Sequence, residues 1–211
     1  MYLPAHFRQE RVPELHALMR ERPLATLVTL SSDGLNANHI PLMIVPEPAP
    51  FGTLLGHVAR SNPLWRDSEP AVLAIFTGPE HYVSPSWLPS KQEHGRVVPT
   101  WNYTAVHAHG QLRIHDDREW LRGVVTRLTK THEAQFERPW SVTDAPAEYI
   151  DGLLKGVVGI EIPIERLEGK WKMSQNRTDA DREAVTETLL EMKTPSAAEV
   201  GELMAKMKPK A

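Results

Sequence analysis

The sequence predicts a mainly β protein (α+β), folded as a small closed antiparallel barrel with peripheral and C-terminal helices. Three observations point there. Short runs rich in β-branched and aromatic residues recur along the chain, about seven or eight of them by strand criteria. Turn residues separate most of these runs, so neighbouring strands pair as hairpins and few strand–helix–strand units occur. The amphipathic helices come late, inserted after the strands or appended at the end, which argues against a doubly wound parallel sheet and for a barrel.

The elements follow in order. Arg11 to Glu21 places Leu15, Leu18 and Met19 on one side of a helix, with Pro13 in the first turn where its missing N–H costs little. Pro23 stops it. Leu24 to Leu30 is a strand, Ser31-Ser32-Asp33-Gly34 a tight turn, and Asn36 to Val45 the returning strand. Pro46 to Pro50 is a surface loop. Phe51 to Val58 is the third strand, left through Ala59-Arg60-Ser61-Asn62-Pro63, and Leu64 to Ser68 is a short helical turn. Ala71 to Phe76 is continuously apolar and reads as a strand buried on both faces.

A long hairpin comes next. Its arms are His81 to Leu88 and Val97 to Ile114, separated by the polar segment Pro89 to Arg96. With period two, Val98, Val106, Ala108, Leu112 and Ile114 form a core face, while Trp101, Tyr103, His107 and His109 form a face suited to lining a pocket. Asp116 and Asp117 then open a helix striped with Trp120, Leu121, Val124, Val125, Leu128 and Phe136. Ala147 to Leu154 is a second helix ended by Gly156. Val157 to Ile164 and Leu167 to Met173 are the last strands. Thr178 with Asp181 and Ser196 with Glu199 read as two capping boxes. The helices they open carry Val185, Leu189 and Met192, then Val200, Leu203, Met204 and Met207, a stripe that faces a core or a partner.

A chain of 211 residues suits one barrel domain, residues 1–193, followed by a helical appendage, residues 194–211. It contains no cysteine, which excludes disulfides, thiolate metal sites and a cysteine nucleophile. The first residues are charged where a signal peptide needs an apolar run, and no apolar stretch approaches the ~20 residues of a membrane span, so a cytoplasmic location is expected. The net charge is −3. A protein that grips phosphate backbones carries a basic domain or stripe, so direct nucleic-acid binding is disfavoured.

Three clusters carry chemistry. His57 to Pro63 ends a strand with an imidazole, a guanidinium, a hydroxyl, an amide and exposed turn N–H groups. That set can cradle a phosphate, and it equally fits an ordinary strand exit with a solvated arginine. Lys170 to Arg177 packs three cations, Trp171 and several uncharged hydrogen-bonding groups into one turn, suited to an anionic ligand or to pairing with the acidic helix Asp179 to Glu187. His107 and His109 share a strand face, but neither His39, His57, His81, His94 nor any carboxylate stands at a diagnostic spacing as a third ligand, so no metal is expected. The signatures of zinc proteases, serine hydrolases, Walker loops and Rossmann folds are absent from the sequence.

The segments HIPL (His39 to Leu42), GHVARSNPLW (Gly56 to Trp65), YVSPSWL (Tyr82 to Leu88), VPTWNYTAVHAHG (Val98 to Gly110) and KWKMSQNR (Lys170 to Arg177) resemble, in that order, the PaiB family of FMN-binding negative transcriptional regulators. More distantly they are similar to pyridoxamine-phosphate-oxidase-like split-barrel flavoproteins. Leu88 stands where the family often has an aromatic residue. The resemblance spans residues 1–193 and implies a six-stranded split barrel that forms a homodimer with FMN at the subunit interface. On it, His39, Pro41 and Leu42 run beside the flavin ring, and His57, Val58, Arg60, Ser61 and Asn62 hold the ribityl phosphate. Thr100, Trp101, Lys172, Ser174 and Gln175 approach from the long hairpin and the C-terminal side, from this subunit or its partner. No catalytic residue follows; His107 and His109 qualify only by their ordinary pKa range. A ligand-sensing regulator, a flavin-dependent oxidoreductase acting on a small molecule and a haem-binding split barrel remain open.

Overall fold

The computed structural model describes residues 1–31, 34–66 and 71–207. Ser32, Asp33, Asp67 and Ser68, and with them parts of the expected hairpin turn and helical turn, lie outside the described residues. The chain divides into two compact units, one of residues 12–76 and 107–167, the other of residues 1–11, 77–106 and 168 onward.

The first unit begins with helix α1 (Val12–Glu21). Strands β2 (Leu24–Ser31) and β3 (Gly34–Pro41) follow; β1 (Arg8–Gln9) precedes them in the other unit. β2 and β3 pair from Leu24↔Pro41 to Ser31↔Gly34, the expected hairpin. The returning strand stops sooner than its sequence suggests. Leu42 separates β3 from β4 (Met43–Val45), and β4 pairs with β5 (Thr53–Ala59) instead of β2. The reason is local. Pro41 has no N–H to donate, Leu42 N–H goes to Pro23 O at 2.8 Å, and the Leu42 side chain is fully buried. One chain segment therefore serves two partners in succession.

Three long strands run from one unit into the other: β6 (Ala71–Val83), β7 (Thr100–Gln111) and β9 (Val157–Lys172). Among the described residues, nine strands form one sheet in the order β3-β2-β6-β7-β9-β5-β4, with β1 and β8 (Arg113–His115) also paired to β9. The sheet is not hydrogen-bonded into a closed barrel as the sequence reading expects: its end strands β3 and β4 are joined by the chain at Leu42. Several boundaries also move. Ala71–Phe76 is not buried on both faces; it alternates and is the first half of β6. The stretch read as a strand from His81 stops at Val83, because Ser84 caps a 3-10 turn over Pro85–Trp87 before the short helix α2 (Ser90–Glu93). The two strands expected between Val157 and Met173 are one, β9.

On β7 the even positions from Asn102 to Gly110 are buried, and the alternation is broken only at Ala105, which is buried as well. That buried face also carries Asn102 and Thr104, and Val98 lies outside it, 65% exposed. Gly110 is required by packing, since a β-carbon there would stand 2.1 Å from Pro163 O. Helix α3 (Arg118–Glu133) starts at Asp117, whose carboxylate accepts Trp120 N–H at 2.7 Å. Val124 and Leu128 pack on Leu55 of β5, and Leu121 packs on Ile150 and Leu154 of α4 (Ala147–Leu154). Phe136 falls beyond the end of α3 and is 55% exposed, so it does not continue the stripe.

In the other unit, α5 (Asp179–Glu191) and α6 (Pro195–Lys206) share a core of Val185, Leu189, Val200 and Met204 with Val83, Leu88 and Met173. Thr178 caps α5 as expected, but the Asp181 carboxylate reaches Ser90 N–H at 3.1 Å rather than closing a capping box. α6 begins at Pro195 after Thr194, not at Ser196; a proline suits a first helical position. Among the described residues no helix is long and apolar enough to cross a membrane.

Candidate functional site

In the unit of residues 12–76 and 107–167, the end of β5 and the turn after it form a braced loop. Asn62 N–H closes on Ala59 O at 2.9 Å, and Arg60 N–H donates to Gly156 O at 2.9 Å. The Arg60 guanidinium forks onto Asp116 at 2.9 and 2.5 Å and donates to the carbonyls of Lys155 at 2.8 Å and Val157 at 3.1 Å. The hydrogen bond to Asp116 raises the Arg60 pKa and lowers that of Asp116. Four of the five N–H groups of the guanidinium are thereby spent on Asp116, Lys155 and Val157, so Arg60 ties the loop to the segments beside it. Trp65 adds an indole N–H to Arg60 O at 2.8 Å.

The HIPL segment lies against this loop. Asn62 Nδ2 donates to Asn38 Oδ1 at 2.8 Å, and Asn62 Oδ1 accepts Leu64 N–H at 2.9 Å. A β-carbon on Gly56 would stand 2.8 Å from the Leu42 side chain and 3.0 Å from Pro41 O, so only glycine lets β5 pass this closely. His39 is exposed and bonded through Nδ1 to the Thr26 hydroxyl at 3.1 Å. Val58 is buried and presents only its backbone. The Ser61 side chain is exposed. His57 is half-buried, its Nδ1 is enclosed without a hydrogen-bond partner, and burial pushes its pKa below the ordinary 6.5.

The second group of expected residues lies in the unit of residues 1–11, 77–106 and 168 onward. Lys172 Nζ donates to Thr100 Oγ1 at 2.5 Å and to Trp101 O. Burial lowers the Lys172 pKa, and the nearby charges of Lys170 and Arg177 lower it further. Trp101 is 53% exposed and meets the Tyr82 ring edge-on at 6.0 Å. Ser174 holds a left-handed backbone, φ 61°, and donates to Asn102 Oδ1 at 3.1 Å. Asn102 is fully buried and donates in turn to Met204 Sδ at 3.3 Å. Gln175 accepts Met173 N–H at 2.6 Å and donates to Trp171 O at 2.5 Å. Ser174 and Gln175 thus hold the turn in shape, while Thr100, Trp101 and Lys172 supply its polar and aromatic edge.

Sequence reasoning missed Asp116, Asn38 and Asn102. Asp116 reads locally as a helix opener, and nothing in its spacing links it to Arg60. Asn102 gave one signal, an amide on an otherwise apolar strand face. His107 and His109 do share a face, with rings 6.4 Å apart, and His109 Nδ1 accepts from Arg166 at 3.0 Å.

FMN asks for donors to a phosphate dianion and a flat polar edge. Within the unit of residues 12–76 and 107–167, the unspent His57 nitrogen and the open Ser61 hydroxyl fit the former; within the other unit, the Lys172 ammonium beside Trp101 is chemically suited to the latter. The open antiparallel sheet with flanking helices is a fold shared with solved proteins. Similar solved folds include the flavocytochrome Anf3 of Azotobacter vinelandii, with TM-score 0.56 at 10% identity, covering 82% of this chain and 70% of that one. They also include an FAD- and heme-binding protein of Mycobacterium smegmatis, with TM-score 0.54 at 16% identity, covering 85% and 79%. Residues 1–166 match the family described as "Putative FMN-binding domain"; the chain belongs to that family, and its cofactor is FMN. It is 32% identical over 206 residues to the protease synthase and sporulation protein PAI 2 of Bacillus subtilis, the PaiB protein, covering 97% of this chain and 96% of that one. An uncharacterized protein of Emericella nidulans is 34% identical over 222 residues, covering 88% of each.

Proposed function

We propose that this protein is a PaiB-like ligand sensor that uses bound FMN, acts as a cytoplasmic homodimer and influences transcription without gripping DNA itself. His57 and Ser61 hold the ribityl phosphate, with Arg60 and Asn62 bracing the turn that presents them and Val58 contributing only main chain. His39, Pro41 and Leu42 offer backbone beside the flavin. Thr100, Trp101 and Lys172 contribute a cation and an aromatic face, and Ser174 and Gln175 fix the turn that presents Lys172. The observation that carries the reading is the enclosed, unpartnered Nδ1 of His57 at the end of β5. A buried nitrogen of this kind is rarely left unsatisfied, and a phosphate oxygen satisfies it. Bound flavin supplies redox chemistry and a coloured, flat surface for a small molecule. Regulation is supported by the name of the Bacillus relative, which ties that protein to protease synthesis and sporulation, and an indirect route by the net charge of −3.

The test is the absorption spectrum of the protein as purified and a flavin-fluorescence titration of the stripped protein. Stoichiometric FMN binding that is lost in His57→Gln supports the mapping; FMN affinity unchanged in that variant refutes it. The exposed Trp101–Tyr82 pair also favours a second reading, a reductase that takes a planar substrate. Turnover of NAD(P)H by the FMN-loaded protein separates that enzyme from the sensor.

A further inference from the structure

The unit of residues 1–11, 77–106 and 168 onward holds a recess of about 540 Å3 that shares only Gln175 with the residues assigned to the flavin. Its floor is formed by buried Trp171 and Arg182 and half-buried Arg177, and its rim by exposed Arg8, Arg11 and Lys206. Asp179 is the one carboxylate among the lining residues. Five cationic side chains around one recess, in a chain whose net charge is −3, is a concentration of positive potential that composition does not supply.

Arg182 is the decisive residue. Only 9% of it is exposed, its Nη2 donates to Met207 O at 3.1 Å, and its Nε is buried with no hydrogen-bond partner. A guanidinium held this deep with an unspent donor carries a large desolvation cost, which an anion in the recess offsets. The other cations are only partly neutralised. Arg8, for one, reaches Glu10 only at 3.4 Å on the exposed side. The volume suits a small molecule rather than a polymer strand.

We propose that this recess is a second ligand site, separate from the flavin, for a small phosphate-bearing anion. Forked N–H donors match phosphate oxygens in pairs, so Arg182 and Arg177 take the phosphate at the floor. Arg8 and Lys206 close over it from the rim. The site stands on this unit's own residues and does not depend on the flavin assignment.

Calorimetric titration with pyrophosphate at fixed ionic strength tests it, using the full chain both stripped of FMN and loaded with it. Saturable binding of about the same affinity in both forms is expected. Arg182→Gln should weaken it at least about tenfold, the scale of one lost charged hydrogen bond. Arg8→Gln with Lys206→Gln, both on exposed side chains, should weaken it several-fold without touching the fold. Arg127→Gln, exposed on α3, should change nothing. Weak, non-saturating heats shared equally by sulfate and chloride overturn the proposal. So does binding that survives both the floor and the rim variants. Pyrophosphate that displaces FMN and loses its affinity in His57→Gln also overturns it, because the anion then belongs to the flavin site. If Arg182→Gln fails to fold, the rim double variant decides alone.

Discussion

At the scale of single residues, the burial of two titratable groups makes the clearest statements. His57 is harder to protonate in the fold than in the unfolded chain, because burial lowers its pKa from 6.5. Its contribution to stability is therefore complete above about pH 6.5 and is lost as the pH falls through that value toward the lower folded pKa. Thermal melts of the FMN-free protein between pH 7.5 and 5.5 should show a fall in Tm that is visibly smaller in His57→Gln. Equal falls would contradict the burial argument. Lys172 is lowered in the same way and is already committed to Thr100 and Trp101. Replacing it with methionine keeps the stem and removes the charge. FMN affinity should then drop about tenfold to a hundredfold, the value of one charged hydrogen bond at roughly 1.5–3 kcal/mol. Flavin fluorescence reads this directly.

Elements show where local chemistry decides a boundary. A strand that must turn from one partner to another needs a residue that releases the ladder, and Pro41 followed by the inward-bonded Leu42 does this. Where β7 crosses close to β9, only glycine fits. Gly110→Val should destabilise the protein by at least about 3 kcal/mol, the upper range for overpacking, because the obstacle is a carbonyl oxygen rather than a movable side chain. Urea unfolding should show a lower midpoint with the slope unchanged. The α5–α6 pair depends on Met204, which fills its core and accepts from Asn102. Met204→Ala should cost about 2–5 kcal/mol, the range for a buried large-to-small change. Its midpoint loss should exceed that of Leu203→Ala, a half-buried neighbour on the same helix.

For the whole molecule, the dimer and the absence of DNA binding are the predictions to test. Exposed Leu30 and Leu35, opposite each other near one end of the β2–β3 hairpin, and Leu24 at its other end, at 66%, 79% and 63%, are apolar side chains that a second copy would cover. FMN-loaded protein should elute at twice the chain mass. Leu35→Glu should shift it toward the monomer and weaken FMN retention together; a flavin-loaded monomer would refute the interface site. With a net charge of −3, the protein should not retard random duplex DNA even at about 50 mM salt, where counterion release most favours binding.

The sequence by itself determined the antiparallel class, the β2–β3 hairpin and the helical faces of α1, α3 and α5, and it marked the segments from His57 and from Lys170 as rich in hydrogen-bonding groups. Those are local properties: period, turn chemistry and the donor content of a short stretch. Only the tertiary structure decided that β6 and β9 run unbroken and that the returning strand splits at Leu42. It also decided that Arg60 spends its fork on Asp116, and that Asn102, Ser174 and Met204 form one buried chain of hydrogen bonds. Strand continuity and long-range donor partners depend on which segment arrives opposite. Residues separated by 56 or 102 positions leave no spacing in the sequence for that arrival to be read from.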